Sequence, residues 1–277
     1  MQLTNNFGYP EAVVNAARRM LHRPEEGFYG VTSVVDAPLV RHLRMTRWDD
    51  LTVDVDDLLI PMFGTAWHQF LERNTSERAE LSWAFQTRGI TLRGTTDLYR
   101  ETNNGTIDDY KVVSAWSFVF GVKEWEQQLN LYALLARMNG YPISNLYIDA
   151  FIKDWSEWEA MKSKKDGYPD KRFFRIGIPL WTPEQQDAYL NARLDVHLAE
   201  PVECSPSEKW QSDTTFAVMK PGRKTAMRVL PSEDAAYSWI SEQKNKKDLY
   251  VNTRKGECKR CNRFCSVRSV CPYAEAT

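Results

Sequence analysis

Hydrophobic and polar positions along the first half of the chain predict two helices followed by three strands. Pro10 and Glu11 open an amphipathic helix, and residues 56–73 form a second helical stretch. Apolar and polar residues then alternate, which is typical of half-buried strands. We predict these strands at residues 81–85, 90–100 and 106–113, with the turn sequence Asn103-Asn104-Gly105 between the last two.

The second half of the chain continues this mixture of helical and strand patterns. A long apolar helix is predicted at residues 122–138, and a capping sequence at Thr182 begins another helix that ends near residue 199. Strands are predicted at residues 144–153 and 173–180. The polar stretch between them, residues 156–172, is interpreted as a long mobile loop.

The order of these elements predicts the fold class and a division of the chain. Helix, three strands, helix and strand in succession are typical of an α/β (α+β) core with a central mixed β-sheet flanked by helices. We expect this core, with its N-terminal helical region, at residues 1–200. Residues 201–277 have weaker periodicity and are expected to form a basic, cysteine-rich segment that packs on the core.

Charge is distributed unevenly, although the net charge of −1 does not by itself indicate nucleic-acid binding. From Pro206 onward there are 14 Lys and Arg residues against 8 Asp and Glu residues. Such a segment can follow a phosphate backbone, or it can simply be a solvated face. No apolar run is long enough to span a bilayer, and the N-terminus lacks a signal-peptide pattern, so we expect a cytoplasmic protein with no membrane partner.

Three charged side chains are predicted to meet on neighbouring strands. Asp97 lies on the strand before the turn, and Asp109 and Lys111 lie on the strand after it. Side chains alternate along a strand, so Asp109 and Lys111 share a face while Asp108 points away from it. Two carboxylates can hold Mg²⁺ or Mn²⁺, and a lysine beside them can orient or deprotonate water, as phosphodiester hydrolysis requires. A surface Asp–Lys pair in a hairpin is the alternative.

Two helices carry polar residues that matter only in combination with these acids. His68 follows a run of small residues, and Gln128 and Tyr132 lie one turn apart on one helix face. Each of them alone is compatible with ordinary helix packing. Together with the acids they resemble the ordered signature GTxxH, GxxD, DxK and QxxxY of the RecB-like PD-(D/E)XK nucleases, the branch of the CRISPR-associated RecB-type exonucleases and related phage-encoded enzymes. In this chain the signature reads Gly64-Thr65-Ala66-Trp67-His68, Gly94-Thr95-Thr96-Asp97, Asp109-Tyr110-Lys111 and Gln128-Leu129-Asn130-Leu131-Tyr132.

The resemblance implies a restriction-endonuclease-like core that holds a divalent metal ion. Mg²⁺ or Mn²⁺ is the implied cofactor, because carboxylate and carbonyl oxygens are the ligands that these ions prefer. Glu72, one helical turn after His68, either supports the site or faces solvent. The implied metal ligands are His68, Asp97, Asp109 and the backbone carbonyl of Tyr110.

The resemblance also implies catalytic roles for Asp97, Asp109 and the remaining motif residues. Lys111 would be the catalytic lysine, and Gln128 and Tyr132 would position it or the scissile strand. The implied activity is that of a metal-dependent deoxyribonuclease, an exonuclease in DNA recombination, repair or phage DNA processing, acting in the host cytoplasm if phage-encoded. A non-catalytic nucleic-acid-binding module on the same scaffold and a structure-selective endonuclease are the alternatives.

Five cysteines are concentrated toward the C-terminus, and four of them fall within the last twenty residues. Clustering of this kind in a reducing compartment indicates metal binding rather than disulfides. The resemblance implies a 4Fe-4S cluster held by an isolated cysteine and a C-terminal group, with Zn²⁺ as the alternative. We prefer the ligands Cys204, Cys261, Cys265 and Cys271, which leaves Cys258 spare; the rival set replaces Cys204 with Cys258.

The basic C-terminal segment is the predicted DNA-binding region. A metal cluster that fixed this segment over the active site would create a channel for single-stranded DNA or DNA ends. Trp210 and Phe216 could stack on bases, although packing within the segment is their more ordinary role. The candidate DNA-binding residues are Lys220, Arg223, Lys224 and Arg228.

Overall fold

The computed structural model describes residues 1–120, 123–162 and 167–274. They form two compact units, Met1–Val202 and Glu203–Thr277. Among the described residues, no helix combines the length and the apolar character needed to traverse a lipid bilayer.

The first unit contains strands and helices, and both vary widely in length. In chain order its strands are β1 (Gln2–Thr4), β2 (Phe28–Gly30), β3 (Thr52–Asp54), β4 (Arg78–Thr87), β5 (Ile90–Arg100), β6 (Thr106–Val113), β7 (Asn145–Ile152) and β8 (Phe173–Ile178). Its helices are α1 (Glu11–Arg19), α2 (Val31–Val35), α3 (Pro38–Thr46), α4 (Val55–Glu72), α5 (Ala115–Phe120), α6 (Lys123–Met138), α7 (Glu157–Lys162) and α8 (Pro183–Leu198). A separate two-stranded sheet pairs β1 with β3 in parallel.

Two of the longer helices begin at side chains that cap them. Asp54 accepts a hydrogen bond from the Asp56 backbone N–H at 3.0 Å, and Thr182 accepts one from the Gln185 backbone N–H at 3.3 Å. Each cap satisfies a backbone donor that the first turn of a helix leaves without a partner. The capping sequence predicted at Thr182 is therefore confirmed, and α8 begins immediately after it.

The central sheet is mixed and forks along β5. Its strands run in the order β2-β5-β6-β7-β8, and β4 also pairs with β5. β4 covers one edge of β5 along nearly its whole length, so β2 and β6 share the other edge. β2 pairs with β5 as far as Arg93, and β6 pairs with it from Leu98 onward. Asp97 consequently lies in the gap between these two partners.

The turn between β5 and β6 uses left-handed backbone positions. Asn103, Asn104 and Gly105 have φ values of 56°, 58° and 89°, a region that asparagine and glycine tolerate better than other residues. A Cβ atom at Gly105 would lie 1.6 Å from the Pro142 carbonyl oxygen, so only glycine fits there. The Ser144 backbone N–H donates to the Gly105 carbonyl at 2.9 Å, which brings the start of β7 beside β6.

Helices cover both faces of the sheet. α2 and α6 pack on one face, and α8 packs against these two helices. Leu131 and Leu134 of α6 and Ile148 of β7 are fully buried in the hydrophobic core there. Strand residues an odd number apart point to opposite faces, so Phe151 of β7 lies on the other side. There its ring contacts Trp67 of α4, with ring centroids 5.1 Å apart. The predicted mixed α/β fold, with a central sheet flanked by helices, is therefore confirmed.

The stretch at residues 156–172, interpreted above as a long mobile loop, contains a helix. That interpretation is wrong for α7, and the stretch is further held by the Tyr168 hydroxyl, which accepts a hydrogen bond from the Ser156 backbone N–H at 3.0 Å. Residues 163–166 of the stretch, and residue 122 of the predicted α6, lie outside the described residues. The short elements β1–β3, α2 and α5 were not predicted, because periodicity is not distinctive over so few residues. The nine-residue helix α3 was not predicted either.

A three-stranded sheet and a helix form the regular part of the described second unit. The antiparallel strands β9 (Thr215–Met219), β10 (Arg228–Leu230) and β11 (Tyr250–Arg254) run in the order β10-β9-β11, and α9 (Glu233–Glu242) packs against all three. Ala217 and Val218 of β9 are fully buried. Weak periodicity concealed these elements, since two of the strands are short and carry mostly exposed residues.

Candidate functional site

Asp97 occupies the gap in the sheet where β5 and β6 separate. Its Oδ2 accepts a hydrogen bond from the Tyr110 backbone N–H at 2.6 Å, and its Oδ1 lies 3.0 Å from Nδ1 of His68. The pairing of β5 with β6 ends at Leu98 and does not reach the Tyr110 backbone N–H. The Asp97 carboxylate accepts the hydrogen bond from this N–H instead. The Asp97 side chain is 13% exposed, so most of its surface is buried.

His68 projects from α4 toward the same gap. Its ring meets the ring of Tyr110 edge-on, with centroids 6.0 Å apart. Burial lowers the pKa of His68, but the hydrogen bond to Asp97 and the negative charges of Asp97 and Asp109 outweigh burial, so the net effect is a raised pKa. A pocket that favours a protonated imidazole in this way has a negative electrostatic potential, which also favours a bound cation.

Asp109 and Lys111 form an ion pair on β6. Lys111 Nζ lies 2.6 Å from Asp109 Oδ2, and Gln128 Nε2 donates to Asp109 Oδ1 at 3.3 Å. Burial raises the pKa of Asp109 to about 6; the charge of Lys111 opposes this rise and the charge of Asp97 adds to it. Buried carboxylates near one another are costly unless positive charge compensates them. The arrangement therefore suits a bound positive ion.

Helix α6 supplies the side chains that hold Asp109 in place. Gln128 Nε2 donates to the Tyr132 hydroxyl at 3.1 Å, in addition to its contact with Asp109. Burial raises the pKa of Tyr132, and the charge of Asp109 raises it further, so the hydroxyl stays protonated. The Tyr132 ring lies against Gly94 of β5, where an added Cβ would be 2.7 Å from the ring carbon Cε1. Glycine at this position lets α6 come close enough to deliver both side chains.

Glu80 of β4 joins this site and was missed by the sequence analysis. One ligand atom each from His68, Glu80 and Asp97 lie within 4.8 Å of one another, and no other such group occurs in the described part of the chain. Burial raises the pKa of Glu80, and the charge of Asp97 raises it further. Glu80 therefore adds a third donor to the pair already formed by His68 and Asp97.

The hairpin register explains how Glu80 reaches this position. β4 and β5 pair from Thr87 and Ile90 onward, and continuing that register places Glu80 opposite Asp97. Its φ of +50° is unusual for a residue other than glycine and breaks the regular pairing at this point. The sequence signal is the tight turn after Thr87. Counting back from this turn along the hairpin places Glu80 opposite Asp97.

Asp108 lies outside this group of donors. It forms ion pairs with Arg100, at 2.6 Å from Nε, and with the guanidinium of Arg175, and its side chain is 1% exposed. Strand alternation predicts this separation of Asp108 from Asp109. Glu72 is exposed, and its charge contributes to the raised pKa of Glu80. The ligand role of the Tyr110 carbonyl stays a prediction.

The five cysteines lie in the second unit as free thiols. Burial raises the pKa of Cys204 to about 11, and the neighbouring thiols of Cys265 and Cys271 add to this rise. Burial likewise raises the pKa of Cys261, with Cys265, Cys258 and Cys271 adding to it. The charges of these thiols thus influence one another, although no three of the described cysteine sulfurs come within 4.8 Å of one another. Thiolate donors suit either zinc or an iron–sulfur cluster.

The basic residues predicted to contact DNA lie together on the hairpin that joins β9 to β10 in the second unit. The Arg223 backbone N–H donates to the Lys220 carbonyl at 3.1 Å and closes a turn of this hairpin. Phe216 of β9 is half-buried, whereas Trp210 is 45% exposed. The exposed basic residues of the hairpin are Lys220, Arg223, Lys224 and Arg228.

Comparisons with known proteins find distant structural likenesses. No family model matches the chain, and no curated protein sequence matches it. The crystal structure of SSO0001 matches with 14% identity and a TM-score of 0.49, over 72% of this chain and 88% of that one. The crystal structure of a protein called "putative exonuclease" from Eubacterium rectale matches with 14% identity and a TM-score of 0.34, over 49% of this chain and 52% of that one. At these levels, the case for a function rests on the side chains of the site.

Proposed function

We propose that this protein is a metal-dependent DNA nuclease of the RecB-like PD-(D/E)XK type that acts as an exonuclease. One observation carries the proposal: donor atoms of His68, Glu80 and Asp97 come within 4.8 Å of one another, next to the ion pair of Asp109 and Lys111. An imidazole, several carboxylates and an amine on neighbouring elements of the first unit form a set that phosphodiester hydrolysis uses. The order of the four motifs along the sequence supports the same class.

The acidic side chains and His68 would hold a Mg²⁺ or Mn²⁺ ion. His68, Asp97 and Asp109 are the proposed ligands, with Glu80 and the Tyr110 carbonyl as further ones. Carboxylate oxygens suit both ions, so the donor set fits them. Such an ion would polarise a phosphate oxygen and supply a bound water of lowered pKa. Its charge would also offset the mutual repulsion that contributes to the raised pKa values of Asp109 and Glu80.

Lys111 would act on the attacking water or on the phosphate. Its amine, 2.6 Å from Asp109 Oδ2, can orient that water or neutralise charge that develops on the phosphate in the transition state. Gln128 holds Asp109, and Tyr132 accepts a hydrogen bond from Gln128, so these two residues position the acid and the lysine for the reaction.

The substrate would be single-stranded DNA or DNA ends in recombination, repair or phage DNA processing. The exposed basic residues of the β9–β10 hairpin would contact phosphates. The four thiols of Cys204, Cys261, Cys265 and Cys271 would hold a 4Fe-4S cluster, with Zn²⁺ as the alternative, and would hold the irregular C-terminal residues together.

Digestion of end-labelled linear single strands tests this function. The purified chain is incubated with Mg²⁺, with Mn²⁺, or with a chelator, and circular single-stranded DNA is digested in parallel. We expect short products from the linear strands with either metal, none with the chelator, and intact circles. Cleaved circles would instead identify an endonuclease. Intact linear DNA, together with salt-sensitive binding, would contradict the proposal and favour a non-catalytic binding module.

A further inference from the structure

Two large aromatic side chains stand exposed beside one another in the second unit. Trp210 is 45% exposed and Phe264 is 65% exposed. Their ring centroids are 5.7 Å apart, with the ring planes at 49°. Leaving two adjacent aromatic surfaces in water forgoes the free energy that their burial would contribute, so an exposed pair points to a binding partner. We call Trp210 and Phe264 the aromatic pair.

Positive charge lies beside the aromatic pair. The guanidinium of Arg260 lies over the Trp210 ring, 5.6 Å from its centroid, and donates to the Glu208 carbonyl at 3.3 Å. Residues 255–268, the segment that carries Phe264, contain five Lys and Arg residues against one acidic residue. A partner that presents both flat apolar surfaces and negative charge is complementary to this region.

The backbone holds Trp210 beside this segment. Its φ of +51° is a rare conformation for a bulky residue, and it lies in a turn closed by the hydrogen bond from the Trp210 backbone N–H to the Ser207 carbonyl at 3.1 Å. The Arg260 backbone N–H donates to the Lys209 carbonyl at 3.1 Å, and Gln211 forms an isolated bridge with Cys258. The segments on both sides of Trp210 are thus tied to the one that carries Phe264.

We propose that the aromatic pair, with Arg260, is a stacking surface for the bases of single-stranded DNA. Every base offers a flat π-face to an aromatic ring. The phosphates that link bases match the charge of Arg260 and of the other basic residues in segment 255–268. In a duplex the bases are paired and stacked on one another, so the partner is a single strand. The choice of DNA rests on the proposed function, whereas the stacking itself depends only on the aromatic pair and its charge.

Binding to strands with and without bases tests this inference. The full chain, without added divalent ions, is titrated with a labelled thymidine oligonucleotide and with an abasic strand of equal length and charge. We expect the wild type to bind the thymidine strand roughly tenfold more tightly or better. Trp210→Leu and Phe264→Leu should each remove most of this preference, and the ring-retaining variants Trp210→Phe and Phe264→Tyr should keep it.

Tyr237→Leu is the matched control, because Tyr237 is 56% exposed on α9 of the same unit. It should bind both strands as the wild type does. Equal affinity of the wild type for the two strands would overturn the inference, as would a base preference that survives in both leucine variants. Neither readout requires cleavage, so a chain that shows base-dependent binding but digests no DNA would refute only the nuclease proposal.

Discussion

Asp109→Asn is expected to reduce metal-dependent DNA cleavage by roughly a thousandfold or more while leaving the protein folded. The substitution removes a proposed oxygen ligand of the metal ion and the partner of Lys111, whose amine lies 2.6 Å from Asp109 Oδ2. Losses of this order follow when a group that stabilises transition-state charge is removed. The amide oxygen of asparagine can still accept the hydrogen bond from Gln128. Initial rates on an end-labelled linear strand with Mn²⁺ measure the effect.

The same variant should keep nearly wild-type stability when no metal is added, because relief of the buried charge of Asp109 offsets the loss of the partner of Lys111, which is 22% exposed. Burial raises the pKa of Asp109 to about 6, above its value in an unfolded chain. The folded state therefore loses stability as the pH rises from the unfolded pKa through about 6, because the buried carboxylate becomes charged. A neutral side chain removes this cost. Such a trade-off between stability and activity is expected at a functional site that holds a buried charge. The unfolding temperature at pH 8 measures it.

The control for this prediction is Asp195→Asn. Asp195, on α8, forms an ion pair with Arg88 at 2.7 Å and is 66% exposed. Neither residue is a proposed metal ligand. It should keep wild-type cleavage and nearly wild-type stability. Cleavage by Asp109→Asn within tenfold of the wild type would contradict the role given to this carboxylate.

Asp108→Ala is expected to lower the free energy of unfolding by about 3 kcal/mol. Asp108 is 1% exposed and compensates two guanidinium groups, those of Arg100 and Arg175. Its removal leaves Arg100, which is 25% exposed, without its charge partner at a largely buried position. Arg175 is 42% exposed, so solvent screens it and its share of the loss is smaller. Urea-induced unfolding measures the change.

An exposed ion pair of the same sheet provides the comparison. Arg78 and Glu101 lie 2.8 Å apart with side chains 53% and 66% exposed. Glu101→Ala should therefore cost less than about 1 kcal/mol. If Asp108→Ala were no more destabilising than Glu101→Ala, the buried network around Asp108 would not be the structural element that its geometry indicates.

Much of the first unit could be predicted because its long elements have clear patterns. β5 and β6 follow their predicted limits, since alternation is strong and the Asn-Asn-Gly turn fixes where one strand ends and the next begins. The strand-face argument also separates Asp108 from Asp109, because alternation depends on the backbone alone. Long, regular elements with distinctive turns were thus accessible from sequence.

Other features depend on tertiary pairing that no local pattern carries. Asp97 reaches the His68 side chain and the Tyr110 backbone N–H only because two strands share one edge of β5 and leave a gap. Glu80 enters the site through the register of a neighbouring hairpin and an unusual φ angle. In the second unit, β10 has three residues, too few for alternation to distinguish a strand from a loop.

A titration with Mn²⁺, followed by electron paramagnetic resonance of the free ion, tests most directly whether the side chains around Asp97 bind a divalent cation. The wild-type chain should bind the ion at this site, and His68→Ala and Asp97→Asn should each weaken that binding at least about tenfold. Glu80→Gln should weaken it as well, while Glu101→Gln should bind as the wild type does. Mn²⁺ affinity that stays unchanged in both His68→Ala and Asp97→Asn would contradict the metal site.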